Sequence, residues 1–227
     1  MGADSSAPIV HTKALCKQVD SPAGTLRILE DINLRIASGK AAAIVGRSGS
    51  GKSTLLSLLA GLDTSSSGEA WLLAQNLSAM TEDQRAALRA GNVGFVFQSF
   101  HLLPHLSALE NVSLPLELAG DPQAAQQAQR ALQQVGLAQR LHHYPNQLSG
   151  GEQQRVAIAR AFSAGPRLIF ADEPTGNLDQ KTGHAVIELL FRLNQAHGTT
   201  LVMVTHDLAL TKHCELVFEL EDGRLNA

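Results

Sequence analysis

The chain is poor in the residues that would place it in an oxidising compartment or within a membrane. Its 227 residues include two cysteines, Cys16 and Cys214, which lie far apart and in no metal-binding or redox spacing. Isolated cysteines are typical of a reduced cytosolic protein, and we expect both to be buried. No apolar run approaches the length of about 20 residues that spans a bilayer. Residues 1–6 are small and polar, unlike a signal peptide, and residues 1–7 are expected to form a mobile tail. If the protein acts at a membrane, another chain must supply the span.

The charge balance excludes a further class. The chain has 18 Lys and Arg against 21 Asp and Glu, a net charge of −3, and no run of five like charges. A protein that binds nucleic acid usually presents a basic face, so we expect no nucleic-acid partner. Aromatic residues make up only 4% of the chain, and no Phe, Tyr or Trp precedes Trp71. Apolar residues make up 44%, which is sufficient for a hydrophobic core.

One glycine-rich segment, residues 46–54, matches the phosphate-loop pattern G-x-x-x-x-G-K-[ST]. It lies between an apolar stretch and a helical stretch, which is the context that the motif requires. Glycines let the backbone approach a ligand, and successive N–H groups with the helix N-terminus bind phosphate oxygens. Lys52 is expected to reach the β- and γ-phosphates of a ligand, and the Ser53 hydroxyl to ligate Mg²⁺. The other predicted phosphate-binding residues are Gly46, Ser48, Gly49, Ser50, Gly51 and Thr54. The alternative is a glycine-rich turn with an accidental Lys-Ser pair.

An acidic pair, Asp172-Glu173, follows the apolar stretch 168–171. A carboxylate at the C-terminal end of a parallel strand lies where ligands bind in open α/β sheets. Asp172 suits the role of holding Mg²⁺, and Glu173 suits a general base that activates water, worth about 10²- to 10⁴-fold in rate. The alternative is a solvated strand end, because acidic pairs after strands are common.

Two further segments allow both a functional and a structural interpretation. Residues 148–155 read LSGGEQQR, and a Ser-Gly-Gly at a helix start offers a hydroxyl and bare N–H groups to an anion. The same spacing fits a plain helix cap in which Ser149 caps the helix and Glu152 completes a capping box. His206 follows the apolar stretch 201–204 and precedes Asp207. A lone histidine in such a place is more often structural than catalytic.

The hydrophobic pattern predicts an α/β protein. Strands at 9–16, 27–29 and 32–36, with a turn at 20–24, form an antiparallel layer ahead of the phosphate loop. The remaining predicted strands are 41–45, 69–73, 93–97, 168–171 and 201–204, with a final hairpin around Asp222-Gly223. The predicted helices are 52–60, 82–89, 121–135, 150–162 and 185–195, the third capped by Asp121 and begun by Pro122. Strands that alternate with helices imply a mainly parallel sheet.

Taken together, the motifs resemble those of the ATP-binding subunits of ABC transporters. The phosphate loop, Gln98, LSGGE, IFADEP and THD stand in that family's order, and the resemblance covers essentially the whole chain. Within the family, EPTGNLD and GFVFQSFHLLP resemble the group that serves lipoprotein release, macrolide export and the cell-division complex. The resemblance implies one nucleotide-binding domain over 1–227. Its P-loop NTPase (RecA-like) α/β core, at about 8–98 and 165–227, includes an N-terminal antiparallel β subdomain, and an α-helical subdomain is inserted at about 99–164.

The resemblance also implies roles for single residues. Gln98 is similar to the glutamine that contacts Mg²⁺ or the attacking water and senses the permease. Asp179 resembles the dimer-loop aspartate, and His206 resembles the switch histidine on the γ-phosphate. The signature residues that would bind the γ-phosphate of ATP held by the opposite subunit are Ser149, Gly150 and Gly151. The active unit implied is therefore a homodimer with two composite sites, each binding ATP and Mg²⁺.

One position departs from the family pattern. Family members usually stack adenine on an aromatic residue at the end of the first strand, whereas this chain has Val19 there. ATP would then be held mainly through its phosphates, and the selectivity for the base would be poor.

The segment that follows Gln98 is apolar for a loop. Residues 102–106 are interpreted either as core packing or as the groove that receives a cytoplasmic helix of the permease. A metal site at His101 and His105 is disfavoured, because Pro104 keeps them off one regular helix face.

The function implied by the resemblance is ATP hydrolysis that drives an integral membrane permease. Such a subunit lies in the cytoplasm, bound to the inner membrane through the permease, and the group suggests export or extraction of a hydrophobic or lipid-linked substrate. An alternative is a mechanotransmitting ATPase that regulates a periplasmic enzyme through a non-transporting membrane partner. A soluble ABC ATPase of DNA repair or translation is a third class, but the chain has one phosphate loop, no heptads and no basic face. The substrate, the direction of transport and the permease are not encoded in this chain.

Overall fold

A long β-hairpin opens the described part of the chain. The computed structural model describes residues 8–21 and 24–226, so the predicted tail at 1–7 and the centre of the predicted turn, Pro22-Ala23, lie outside the described residues. Strand β1 (Val10–Ser21) pairs antiparallel with β2 (Gly24–Ile32), and both are longer than the predicted strands. The described residues divide into two units, one running to Arg89 and resuming at 200–226, the other spanning Ala90–Thr199.

The first unit contains the predicted antiparallel layer. Strand β1 also pairs with β3 (Arg35–Ile36) and with β5 (Ser67–Leu72), and β5 pairs with β6 (Gln75–Asn76). The β layer ahead of the phosphate loop is therefore confirmed.

The predicted continuous strand at 32–36 is wrong, although its alternation of buried and exposed residues is correct. The ladder is interrupted because the buried Thr12 hydroxyl inserts into it. Thr12 Oγ1 donates to the carbonyl of Ile32 at 2.8 Å and accepts from the N–H of Leu34 at 3.1 Å. A side chain thus replaces one backbone bond of the sheet.

The first unit also holds the strand that leads into the phosphate loop. Strand β4 (Ala41–Val45) is buried throughout and lies between two parallel neighbours, β9 (Thr200–Thr205) and β10 (Leu216–Glu221). Strand β11 (Arg224–Asn226) closes the predicted C-terminal hairpin with β10. The helices of this unit are α1 (Lys52–Leu59) and α2 (Glu82–Arg89). A central strand buried on both faces reads as a continuous apolar run, as predicted.

The second unit pairs two parallel strands with a group of helices. Strands β7 (Val93–Phe97) and β8 (Leu168–Asp172) lie side by side. The helices are α3 (Ala108–Leu118), α4 (Ala124–Gln134), α5 (Gly150–Ser163) and α6 (Gln180–His197). Residues 99–164 contain no strand, as predicted. The proposed subdomain boundaries at about 99 and 164 stay a prediction.

The predicted start of helix α4, at Pro122 with Asp121 as its cap, is two residues too early. The helix begins at Ala124, and its N-cap Gln123 makes no side-chain cap. The Asp121 carboxylate instead accepts from the N–H of Gln123 at 2.7 Å and from the side chain of Gln127 at 2.6 Å. Asp121 therefore closes a turn ahead of the helix, because an Asp side chain readily bonds the backbone two residues on.

The two cysteines are free, but they are half-buried rather than buried as expected. Burial raises the pKa of the Cys214 thiol to about 11. Within the described residues, no helix is long and apolar enough to cross a membrane.

Candidate functional site

The phosphate loop forms one wall of a cavity of about 560 Å³ in the first unit. The loop connects the end of β4 to the start of α1. The other walls come from residues 26–28 of β2 and from residues 219–223, where β10 turns into β11. A cavity of this size falls in the range of small-molecule sites, about 300–1,000 Å³.

Lys52 is held inside the loop. Its side chain is 5% exposed, and Nζ donates to the carbonyls of Gly46 at 2.9 Å and Arg47 at 2.8 Å. These carbonyls fix the ammonium group within the turn of the loop. A buried positive charge there favours an anionic ligand, which the three flexible donors of a lysine can follow.

The backbone of the loop favours glycine, as Gly49 and Gly51 show. Gly49 and Gly51 have φ angles of 81° and 98°, in the left-handed region where a Cβ is strained. Gly51 is also the N-cap of α1 and provides no side-chain cap, so the first N–H groups of the helix are left for a ligand.

The side chain of Ser50 indicates that the loop is built to receive an acceptor. Ser50 Oγ is buried and, among the described residues, has no hydrogen-bond partner. A buried hydroxyl without a partner is costly. Ser50 lines the cavity, so a phosphate oxygen bound there would satisfy it. The residues present therefore fit the phosphates of ATP.

His206 belongs to the same unit as the loop. The register of β4 and β9 pairs Val45 with Thr205, so Gly46 and His206 leave neighbouring parallel strands at the same edge. His206 is exposed. Asp207 orients the segment, because its N–H donates to Thr205 Oγ1 at 3.0 Å and its carboxylate accepts from the N–H of Ala209 at 2.8 Å.

The second unit brings Gln98 and the acidic pair together. The register of β7 and β8 pairs Phe97 with Asp172, so Gln98 and Glu173 leave adjacent parallel strands at one edge. Glu173 has a φ angle of 43° although it precedes Pro174. Left-handed backbone is strained for glutamate, and the following proline restricts it further. Such strain persists only where the surroundings hold it.

A group of contacts that the motifs did not reveal holds this edge. Gln98 and Asn177 exchange two hydrogen bonds of 3.1 Å each. The buried Gln154 donates to the carbonyl of Pro174 at 2.7 Å, next to Glu173. Arg160 donates to the carbonyls of Phe100 and His101, at 3.0 and 2.7 Å. Burial lowers the pKa of Arg160.

The signature segment caps helix α5, so the predicted capping box at Ser149 and Glu152 is confirmed. The N–H of Glu152 donates to Ser149 Oγ at 3.3 Å, and the Glu152 carboxylate accepts from the N–H of Ser149 at 2.9 Å. The carboxylate also accepts from Arg140 Nε at 3.0 Å. The bond from the Ser149 N–H, followed by the bond from Arg140, lowers the pKa of Glu152 to about 2.

The two signature glycines pack closely against the segment that follows the acidic pair, and Gly151 leaves no room for a side chain. A Cβ on Gly151 would lie 2.4 Å from Cγ2 of Thr182, and one on Gly150 would lie 3.3 Å from Cδ2 of Leu178. Asp179 lies in the facing segment and caps α6, accepting from the N–H of Thr182 at 3.0 Å. The hydrogen bond from the Thr182 side chain, followed by that from its backbone, lowers the pKa of Asp179.

Val19 lies in the strand pair next to the cavity. It lies in β1 opposite Leu26 of β2, and the two side chains are 44% and 62% exposed. Leu26 also lines the cavity beside the phosphate loop. The part of the cavity wall formed by Leu26 and Ile28 is therefore aliphatic.

The loop after Gln98 is held by hydrogen bonds from the side chain of Asn111. This buried side chain accepts from the N–H of Leu103 at 2.8 Å and donates to the carbonyls of Leu103, Leu106 and Ser107. Leu103 itself is 43% exposed, so core packing does not explain it. His101 lies against the ring of Phe97, and no metal-binding group of three His, Cys, Asp or Glu occurs in the described part of the chain.

The family model for ABC transporters matches residues 29–176. The chain belongs to the ABC transporter family. The resemblance inferred from its motifs is confirmed. The ABC transporter ATP-binding protein YbbA of Escherichia coli K12, the type that the motifs suggest, is 55% identical over 219 residues, which cover 96% of each chain.

Two further comparisons define the relatives of this ABC chain. The lipoprotein-releasing system ATP-binding protein LolD of Xanthomonas campestris pv. campestris is 44% identical over 98% of this chain and 94% of LolD. The solved ATP-binding cassette MJ0796, a dimer bound to ADP and Pi, superposes with a TM-score of 0.88 at 39% identity, covering 96% of this chain and 97% of that one. The protein is therefore an ATP-binding ABC cassette and an ATPase, and the predicted fold class is confirmed.

Proposed function

We propose that this ATPase is the nucleotide-binding subunit of an inner-membrane complex that extracts or exports a hydrophobic or lipid-linked substrate. The observation that carries the proposal is the similarity to LolD, an ATP-binding protein of a lipoprotein-releasing system, over 98% of a chain whose phosphate loop is complete. The subunit would lie in the cytoplasm and bind the membrane through its permease.

Each residue of the phosphate loop has a proposed role. Lys52 binds the β- and γ-phosphates, and Ser50 donates its hydroxyl to a phosphate oxygen. The backbone N–H groups of residues 46–51 and of the first turn of α1 surround the phosphates. The residues that would hold Mg²⁺ are Ser53, Gln98 and Asp172. When bound, the ion neutralises charge on the phosphates.

The proposed proton acceptor is Glu173. Its carboxylate takes a proton from the attacking water, and Gln98 orients that water with its side-chain amide. His206 donates a hydrogen bond to the γ-phosphate as negative charge develops on it. The strained backbone at Glu173, φ 43°, supports the assignment because backbone strain is concentrated at functional positions.

Two copies of the chain are proposed to enclose ATP between them. MJ0796, with which this chain shares 39% identity, is dimeric in the state bound to ADP and Pi. The signature of one copy, at Ser149, Gly150 and Gly151, would bind the γ-phosphate held by the other copy. Ser149 would keep its cap on α5 while its exposed N-terminal position faces the partner. Asp179 would stay at the dimer contact.

The proposed contact with the permease is the loop at 102–106. Its backbone is fixed by Asn111, while Leu103 is 43% exposed, so an apolar side chain is presented on a rigid support. An exposed apolar group on a rigid loop suits a partner helix. The loop follows Gln98, so contact there can reach the residue proposed to orient water.

The experiment that tests the membrane complex uses Glu173→Gln, which retains the side-chain shape but removes the base. Tagged Glu173→Gln protein is recovered from detergent-solubilised membranes with MgATP present. An integral membrane protein with several transmembrane helices should co-purify. The matched Lys52→Ala protein, which lacks the proposed phosphate-binding lysine, should recover less of it. If the partner carries a periplasmic enzyme-binding domain and no substrate path, the mechanotransmitting alternative replaces export. Recovery of a dimer of this chain alone would contradict the proposal.

The same variant tests the catalytic assignment. Glu173→Gln should bind ATP as wild type does and hydrolyse it about 10²- to 10⁴-fold more slowly, because the water loses its base. Fluorescent-nucleotide binding and phosphate release measure the two properties. Turnover within a few fold of wild type would remove Glu173 as the base.

A further inference from the structure

We propose that Asn177 and Gly176 are positioning residues that hold Gln98 with its side-chain carbonyl oxygen directed away from them, and that they join the Gln98 loop to the turn carrying Glu173. The inference rests on the proposed roles of Gln98 and Glu173. It assigns a task to two residues of the turn that have no role in the proposed chemistry.

Asn177 holds both the backbone and the side chain of Gln98. Asn177 Nδ2 donates to the backbone carbonyl of Gln98 at 3.1 Å, and Gln98 Nε2 donates to Asn177 Oδ1 at 3.1 Å. A backbone carbonyl can only accept, so the amide of Asn177 must turn its NH₂ group toward it. The Asn177 oxygen then faces the Gln98 side chain and can only accept, so Gln98 must donate to it from its own NH₂ group.

The orientation of the Gln98 amide therefore follows from chemistry. With Nε2 committed to Asn177, the oxygen Oε1 points away with its lone pairs available. An oxygen is the atom that a Mg²⁺ ion or a donated water proton requires. A Gln98 amide rotated by half a turn would present NH₂ to the cation instead. Asn177 thus selects the productive orientation.

Gly176 provides the room for this arrangement. A Cβ on Gly176 would lie 2.6 Å from Nε2, 2.9 Å from Cδ and 3.1 Å from Cγ of Gln98. The backbone of Gly176 is not among the residues with positive φ, so an alanine fits its conformation. Glycine is needed at this position for space alone, and the methyl group of an alanine would displace the Gln98 side chain.

The turn that carries Asn177 also carries Glu173. The N–H of Gly176 donates to the carbonyl of Glu173 at 3.0 Å, and the N–H of Leu178 donates to that of Thr175 at 3.0 Å. On its far side, the Gln98 loop is held by Arg160, which donates to the carbonyls of Phe100 and His101. A displacement of the loop therefore reaches the Glu173 turn through the Asn177 hydrogen bonds.

The test compares Asn177→Leu, which removes both hydrogen bonds, with Asn177→Asp, which can still accept from Gln98 Nε2. Gly176→Ala displaces Gln98 and leaves Asn177 unchanged. Asn146→Leu, the same change at an exposed asparagine of the same unit, is the control. The readouts are kcat and KM for ATP, and amide hydrogen exchange of residues 96–101 and 173–178 in the nucleotide-free protein.

We expect Asn177→Leu and Gly176→Ala to lower kcat roughly tenfold, the size of one or two lost hydrogen bonds, with KM within about twofold. Asn177→Asp should recover part of the loss. Exchange should quicken in both segments for Asn177→Leu and not for Asn146→Leu. A Gln98→Ala, Asn177→Leu double variant should lose clearly less than the two single losses combined, because Gln98→Ala has already removed the side-chain bond to Asn177 and leaves only the bond to the backbone carbonyl.

Fully additive losses in the double variant would show that Asn177 acts independently of the Gln98 side chain and would overturn the proposal. Unchanged exchange in a folded Asn177→Leu protein would also overturn it, whether or not ATP is hydrolysed. A wild-type protein without ATPase activity would instead contradict the proposed function. If Asn177→Leu does not fold, Gly176→Ala gives the same comparison, and normal turnover there would count against the proposal.

Discussion

The capping box at the signature helix predicts a pH-dependent loss of stability in Glu152→Gln. The wild-type carboxylate accepts hydrogen bonds from the N–H of Ser149 at 2.9 Å and from Arg140 Nε at 3.0 Å. These bonds lower the pKa of Glu152 from its ordinary value of 4.5 to about 2. Glutamine keeps an acceptor for the N–H of Ser149 but carries no charge, so it loses the ionic part of both contacts.

The size of the effect follows from the two pKa values. One pKa unit is about 1.4 kcal/mol, so the full difference would be about 3 kcal/mol. The Arg140 side chain is 45% exposed, and solvent screens the pair, so we expect about 1–2 kcal/mol. The free energy is present above the unfolded pKa of 4.5 and is lost as pH falls through about 2. At about 2–4 °C per kcal/mol for a chain of this length, Tm should fall by roughly 2–8 °C at pH 7.

Differential scanning fluorimetry at pH 7 and pH 3.5 measures this effect. The deficit of Glu152→Gln relative to wild type should shrink by roughly half at pH 3.5, because the unfolded glutamate is then mostly protonated. Glu188→Gln, at an exposed position of α6, is the control and should change Tm by less than about 1 °C. An equal deficit at both pH values would refute the reasoning, and so would a deficit no larger than that of Glu188→Gln.

Three further outcomes are expected. Gly151→Val places atoms within 2.4 Å of Thr182, so hydrolysis should fall strongly while fluorescent-nucleotide binding by the monomer stays within about twofold; lost binding would contradict the proposed role of the signature. Val19→Tyr should tighten nucleotide binding several-fold by stacking on the base, and an unchanged Kd would count against the aliphatic wall as the cause of weak base contact. Cys214, whose pKa burial raises to about 11, should react with iodoacetamide at pH 8 roughly a hundredfold more slowly than a free thiol; rapid alkylation seen by mass spectrometry would disprove this.

The parts of the fold that could be predicted are those with strong local signals. Strand β4, the phosphate loop and α1 follow from an apolar run, closely spaced glycines and a Lys-Ser pair within one short segment. The final hairpin follows from Asp222-Gly223, because a tight turn needs a left-handed residue there. Helix α5 begins at the predicted residue, Gly150, where Ser149 and Glu152 form a capping box. Its observed end, Ser163, is one residue beyond the predicted end.

Helix α3 was missed although its start carries the same kind of signal. Ser107 and Glu110 form a capping box there, but Pro115 lies inside the helix and masks the pattern. The start of α4 was misplaced because Asp121-Pro122 fits both a cap and a turn. Local residues alone do not distinguish the two.

The contacts around Gln98 could not be predicted because they join distant parts of the chain. Gln98 and Asn177 are 79 residues apart in sequence. They meet because β7 and β8 pair with Phe97 opposite Asp172. Neither strand's own sequence predicts this register. The need for glycine at position 176 becomes visible only once the Gln98 side chain is known to pack against it. The positions of these residues are therefore determined by the pairing of two strands that are remote in sequence, and not by the residues next to them in the chain.

The left-handed backbone of Glu173 has a consequence for the evolution of this protein. A glutamate at φ 43° before a proline lowers the stability of the fold by about 1–2 kcal/mol relative to glycine. Selection for heat resistance alone would therefore favour glycine at this position, and in the proposed mechanism the resulting protein would be more stable but would lack its general base. The proposed mechanism therefore implies that glutamate is retained there by continuing selection for ATP hydrolysis, at a cost in stability.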